Sequence, residues 1–529
     1  MNRDRILSGS SIVLLIAAVK LLFHLFTAGR YGIFRDELYY LACAEHLDWG
    51  YVDQPPLIAG VAWFARHVFG DSLLGLRLLP AVAGAALVWL AGTLAREMGG
   101  GRFAQALAAV SVACVPIYLV FHHWLTMNAF EPLIWTGCIW CIVRAIRTGD
   151  PRYWLWFGAL AGLGMENKYS MAFFIAGVVT GMLLSPERRF FRSRWMWMGA
   201  AAAFLIFLPN LVWLVRHDFP FLELMNNVRR SGRDIARGPV AFVLDQAMIV
   251  NPVLFPLWIG GLLWLLVHRE GRRYAVLGWT YLVMLVLFIV LKGKNYYLAP
   301  AYAMLFAAGA VAFEQVTLRQ IRFRRLTWIL PAYLVLVVAG TVVLAPIFAP
   351  ILPVETYIRY QKALGLEPPK SENQQNGPLP QYFADEFGWE EMTKAVAKVY
   401  FSLPPAERAT TAIFANSYGQ AGAIDFFGPR YGLPKSISGH QSYWYWGPRG
   451  YTGATVIVLG SGRPRRPRTL RQRRSCRPRG APVLSARRAF RHLLMQAAAS
   501  EPSNAVASSE ALELSGPTSP ADSPVTSAS

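Results

Sequence analysis

Charge is scarce in this sequence: only 16% of its 529 residues are Asp, Glu, Lys or Arg, while 54% are hydrophobic and the mean hydropathy is +0.33. That balance excludes an ordinary soluble composition and predicts a polytopic membrane protein. The few charges are uneven in sign, with a formal net charge of +21. No nucleic-acid partner follows from this excess. Most basic residues sit in short connectors between apolar runs or in the C-terminal tail, where they set topology or accompany disorder. Cysteine is rare as well, and Cys43, Cys114, Cys138, Cys141 and Cys476 show no metal-binding spacing. They read as apolar filler. No internal repeat is present, which argues against a transporter built from duplicated halves. No small-residue cleavage site follows the first apolar run, so that run is expected to be a retained span.

Long apolar runs, by contrast, are plentiful. At roughly 20 residues per crossing they number about eleven. They are Ile6 to Phe26, Leu73 to Leu94, Ala104 to Phe121, Trp124 to Val143, Tyr153 to Met165, Met171 to Leu184, Trp195 to Val215, Ala247 to Val267, Tyr274 to Val290, Tyr296 to Phe313 and Trp328 to Ile347. Leu57 to Val68 is too short to cross and predicts a surface or re-entrant helix. The fifth and sixth runs are half-length, and fused they would make one helix of about 48 Å. Counting them separately places the Arg clusters at 96 and 102, 144 to 152, 188 to 194, 269 to 273 and 319 to 325 on the face that holds the N-terminus, as the positive-inside rule requires.

The same count puts four polar stretches together on the opposite, extracytoplasmic face: Asp36-Glu37, His122-His123, Glu166-Asn167-Lys168, and Lys292 to Asn295. The long connector Arg216 to Asp245 lies there too and carries Arg229, Arg230, Arg233 and Arg237. Long loops translocate regardless of charge, and such a loop suits either anionic headgroups or plain solvent. After Pro350 the composition turns soluble. Residues 351–460 predict a small extracytoplasmic α/β domain, with helices at Val354 to Leu364 and Trp389 to Phe401 and strands at Thr410 to Ala415 and Ala454 to Leu459. Its aromatic run Gln441 to Trp446 suits packing or sugar stacking. The Arg/Pro/Ser-rich stretch 461–529 predicts a disordered tail, which leaves 1–350 as the membrane domain.

The chemistry-bearing residues begin in Gly32 to Tyr40 and continue through Trp49 to Pro56. Adjacent carboxylates such as Asp36 and Glu37 point in different directions, so they are not a facing acid/base pair, and one can act as a base while the other orients a partner or a metal; the alternative is a helix-start charge pair. Arg35, Tyr39, Asp53 and Gln54 surround them in sequence. Lys168, between two apolar half-spans, is costly unless it has a role. Together with Lys292, Lys294 and Tyr296 it suggests a phosphate clamp. Glu131, one turn into an apolar run, and His123 are the candidate ligands for a divalent metal on spacing alone; no other cofactor is expected. Lys20 and His24 read as interior or snorkelling groups.

The outer Phe34-Arg35-Asp36-Glu37 loop, Asp53-Gln54-Pro55-Pro56, the Asn167-Lys168 turn and Asn295 to Pro300 together resemble the GT-C membrane glycosyltransferases related to protein O-mannosyltransferases and lipid A aminoarabinose transferases. The resemblance covers roughly the first 350 residues, with the Asp-Glu loop its most specific part. It implies a GT-C-type, mainly α bundle in a bacterial cytoplasmic membrane, with a polyprenyl-phosphate-linked sugar as donor and a lipid, glycan or protein hydroxyl as acceptor. By the same resemblance Asp36 is the base, Glu37 its neighbour in the acceptor site, and Lys168, Lys294 and Tyr296 lie near the donor phosphate. A transporter or flippase of a lipid-linked sugar is the competing expectation. Relatives often carry Thr-Asp-Ala where this chain has Thr126-Met127-Asn128-Ala129, a departure that removes one acid a metal would use.

Overall fold

The computed structural model describes residues 8–231, 235, 237–317, 328–368, 377–451 and 455–459. The expected disordered tail, Cys476, Arg233 and the basic connector at 319–325 lie outside the described residues. The chain divides into two compact units between Phe387 and Gly388, beyond the composition change at Pro350.

The first unit is helical. Ser8 starts it by accepting the Ser11 amide at 3.2 Å, and α1 (Gly9–Thr27) follows. Then come α2 (Arg35–Ala44), α3 (Leu57–Phe69), α4 (Leu73–Glu97), α5 (Arg102–Ala113), α6 (Pro116–Phe121), α7 (Met127–Thr148), α8 (Tyr153–Asn167) and α9 (Met171–Leu183). The series continues with α10 (Arg194–Arg216), α11 (Pro220–Ser231), α12 (Pro239–Ile249), α13 (Phe255–Leu266), α14 (Ala275–Val290), α15 (Tyr302–Gln315), α16 (Ile329–Phe348), α17 (Val354–Ala363) and α18 (Gln381–Ala384). Among the described residues seven helices are long and apolar enough to cross a membrane, or nine if each of two bent pairs counts as one span.

The eleven predicted crossings are therefore not all recovered by length, and the reasons are local. Pro116 breaks the predicted run Ala104 to Phe121 into α5 and α6, because proline offers no amide to a continuing helix. The half-length pair is two separate helices, α8 and α9, of 15 and 13 residues. Leu57 to Val68 is the short helix α3, as expected.

Packing places α4 at the centre of the N-terminal half, against α1, α5 and α7, while α8 lies between α7 and α10. Close approach at the last interface depends on small residues. A Cβ on Gly158 would sit 2.0 Å from the Gly199 carbonyl oxygen, and one on Gly199 would sit 2.2 Å from that of Trp154. Glycine lets the two backbones touch where any side chain would hold them apart. That contact fixes α8, whose C-terminal end presents Asn167 and Lys168.

The second unit contains α19 (Trp389–Ser402), α20 (Pro405–Arg408), β1 (Thr411–Ala415), α21 (Tyr418–Phe427), β2 (Ile437–Ser438), α22 (Tyr443–Trp446) and β3 (Thr455–Leu459). Its three strands are parallel in the order β2-β1-β3. Strand β2, only two residues long, gives no pattern for sequence reading to find. Asp425 is buried beneath it and accepts from the Ser436 amide at 2.7 Å and the Tyr443 hydroxyl at 3.0 Å. Tyr443, within the aromatic run, is thus part of this unit's own packing.

Candidate active site

The site is built outward from one buried cation. Arg77, in the second turn of α4, is 1% exposed. Its Nε donates to Glu37 Oε1 at 3.1 Å and its Nη2 to Glu37 Oε2 at 2.9 Å. It also donates to the Ala28 carbonyl at 2.8 Å, the Gly32 carbonyl at 2.7 Å, Glu386 Oε2 at 3.3 Å and His123 Nε2 at 3.0 Å. A guanidinium can only donate, so His123 Nε2 accepts and the ring is neutral. Burial pushes the Glu386 carboxyl well above the carboxylate range against the pull of Arg77.

Glu37 completes the lock. Its Oε2 accepts the Phe34 amide at 2.8 Å, which caps the start of α2, and its Oε1 accepts the Leu125 amide at 2.9 Å. Both oxygens of this fully buried carboxylate are occupied. Gly32 is equally constrained, since a Cβ there would lie 2.0 Å from the Glu386 carbonyl oxygen. Arg35 ties the same loop to Asp385, through its amide at 3.1 Å and its guanidinium at 3.1 Å.

Asp36 is held differently. It sits in the first turn of α2 with a side chain 30% exposed and 3.4 Å from Arg35. Beside it, Asp53 accepts from the Tyr39 hydroxyl at 2.8 Å. Burial pushes the Asp53 carboxyl up to about 7; Tyr39 opposes this, and the Asp36 charge adds to it. The loop therefore carries two acids within each other's field. Gln54 is buried and donates to Cys43 Sγ at 3.8 Å.

The Lys168 turn is reached from this loop by two routes. Through the α6–α7 connector, Leu125 binds Glu37, and three residues later Asn128 accepts from Lys168 Nζ at 2.7 Å. Through Tyr169, whose hydroxyl is raised by burial and then by Asp53, the turn also feels the acid loop. Lys168 Nζ pairs with Glu131 at 2.8 Å and lies 5.0 Å from the Tyr297 ring and 5.8 Å from that of Tyr296. Tyr296 packs edge-on against Phe121. Lys292 is exposed with φ 54°, and Lys294 caps the 3₁₀ turn Asn295–Ala301.

The two metal candidates do not meet. His123 gives its lone pair to Arg77, and Glu131 is taken by Lys168 and by the Ser170 hydroxyl. Among the described residues no group of three or more His, Cys, Asp or Glu could hold a metal. The donor set thus does not fit an ion at Glu131 and His123. Sequence reasoning passed over Arg77 and Glu386. The first carried a usable signal, a lone Arg in an apolar run; the second, 309 residues away, carried none.

Against known proteins, residues 53–213 match the family model for dolichyl-phosphate-mannose-protein mannosyltransferase. The structure superposes on that of ArnT from Cupriavidus metallidurans bound to undecaprenyl phosphate, with a TM-score of 0.53 at 14% identity, covering 80% of this chain and 85% of that one. The chain shares the fold of that protein. The chain is also 26% identical to the lipid A galacturonosyltransferase RgtD of Rhizobium johnstonii over 285 residues, 51% of its own length and 56% of that protein's. It thus aligns with little more than half of that curated relative. With this fold and its apolar helices it is a multi-pass integral membrane protein.

Proposed function

We propose that this protein is an inverting glycosyltransferase that moves a sugar from a polyprenyl phosphate to an acceptor hydroxyl, on the extracytoplasmic face of a bacterial cytoplasmic membrane. The observation that carries the reading is the pairing of half-exposed Asp36 with Asp53 on a loop immobilised by the Arg77–Glu37 node. The relative named for lipid A and the neighbour solved with undecaprenyl phosphate support a lipid-linked donor and a lipid acceptor.

In this reading Asp36 removes the proton of the acceptor hydroxyl, whose oxygen bonds to C1 as the C1–O bond to phosphate breaks. The electron pair leaves with the polyprenyl phosphate. A phosphate is already a good leaving group, so cations near it do the work an acid would otherwise do. Lys292 and Lys294 serve there, with Lys168, two of whose three donors are engaged by Asn128 and Glu131, ordering the tyrosines beside them. Glu37, with no free oxygen, positions the loop and exchanges no proton. Arg35, Tyr39 and Gln54 shape the acceptor side, and Tyr39 fixes Asp53.

Membranes containing the full chain, given polyprenyl phosphate labelled in its sugar, test the proposal. Label should move to an acceptor with inverted configuration at C1. Label crossing the bilayer while still on its donor would instead establish a flippase.

A further inference from the structure

Helix α10 supplies no group to the proposed chemistry, yet its last two turns touch both the acid loop and the Lys168 turn. Asn210, in those turns, is fully buried. One end of its amide lies 2.7 Å from the Trp49 carbonyl, which can only accept, so that end is the NH2 group. The oxygen at the other end then accepts the Tyr169 hydroxyl at 3.3 Å. Burial pushes that hydroxyl up, so it keeps the proton the bond needs. Trp49 precedes Asp53 by four residues, and Tyr169 follows Lys168 directly. One side chain is thus bonded to both halves of the site.

The loop is pressed onto the helix on either side of that bond. Three residues further along α10, Trp213 Nε1 donates to Asp48 Oδ2 at 2.7 Å. A Cβ on Gly50 would lie 2.5 Å from a Trp213 ring carbon and 2.8 Å from Asn210 Nδ2, so position 50 accepts no side chain unless the loop lifts away. Such a lift would reach Asp53, because the Tyr51 amide donates to the Gln54 carbonyl at 3.1 Å and closes the turn that holds it. On the other side the Tyr169 ring packs 4.7 Å from that of Phe221 in α11, so holding the hydroxyl as well leaves the Lys168 turn little freedom. Only an amide serves both loops at once: an Asp here would set an oxygen against the Trp49 carbonyl, and an aliphatic side chain would lose both bonds.

We propose that Asn210 is a positioning residue that fixes the distance between the acid loop and the Lys168 turn, and with it the alignment of acceptor against donor. The proposal rests on the transferase reading for what that alignment serves; the clamp itself is independent of it.

Two measurements on the full chain in lipid nanodiscs test it. The first places spin labels at Trp49→Cys and Ala172→Cys, both exposed positions, in a Cys476→Ser background whose remaining four cysteines are buried. The distance distribution between them by pulsed EPR should be single and narrow, and should broaden or split in Asn210→Leu and in Gly50→Ala. The second is sugar transfer per folded molecule. Asn210→Leu should lower kcat about tenfold to a hundredfold, the cost of roughly an ångström of misplacement, with the donor KM little changed; a merely structural Asn210 would reduce the amount of folded protein and leave kcat per folded molecule native. Tyr169→Phe, the milder change, should lower kcat in the native chain and add nothing in Asn210→Leu, where its partner is already gone. Should Asn210→Leu fail to fold, Gly50→Ala and Tyr169→Phe decide by the same readouts. A broad distribution in the native chain, an unchanged one in the variants, or a native kcat in them overturns the proposal. If the distributions change as expected while even the native chain transfers no sugar, the clamp stands and the transferase reading fails.

Discussion

Arg77 shows most clearly how single residues make this site. Its charge is buried among carbonyls, His123, Glu37 and Glu386, so removing it strands a carboxylate out of water. Arg77→Met should lower stability by about 3–5 kcal/mol, the usual cost of breaking one side of a buried pair, read as a shifted denaturant midpoint in micelles. Asp53 makes a pH prediction. Its folded carboxyl titrates at about 7, against an ordinary value of 3.8. Between those values the folded chain keeps a proton that the unfolded chain has lost, so stability falls as pH rises from about 4 to about 7 and then levels. Asp53→Asn should flatten that part of a stability-against-pH profile. The acids themselves were legible in sequence, because carboxylates beside an apolar run stand out. What Glu37 does was not, since its partners Leu125 and Arg77 lie 88 and 40 residues away.

At the scale of elements, the site is an assembly of helix ends. The start of α2 carries Asp36, the start of α7 carries Asn128 and Glu131, and the turn after α8 carries Lys168. Periodicity and proline placement made most of these helices readable. It did not reveal that α5 and α6 are separate, because an apolar run looks continuous across Val115-Pro116 unless the missing amide is weighed. The contact of α8 with α10 should tolerate no side chain. Gly158→Leu would push Lys168 away from Asn128, and should reduce both transfer and the yield of folded protein in detergent, as overpacking costs about 1–3 kcal/mol before any functional loss. Normal yield with full transfer would show that this interface does not position the turn.

For the whole molecule, the proposal requires the acid loop and the Lys292 loop to share the extracytoplasmic face. Trp49→Cys and Lys292→Cys, both at exposed positions, should each react with a membrane-impermeant maleimide in intact cells; labelling of one but not the other would separate the two halves of the site. Composition alone made the membrane class legible, and the positive-inside pattern supplied the orientation that this labelling checks. The division between Phe387 and Gly388 was hidden, because Asp385 and Glu386 fold back onto the first loop across a soluble-looking stretch. The most direct measurement is the rate of sugar transfer from labelled polyprenyl phosphate by Asp36→Asn, set against the native chain at matched folded amounts. The account predicts a loss of about a hundredfold or more, as for removal of a general base, with donor binding retained. Transfer by Asp36→Asn at the native rate would contradict it.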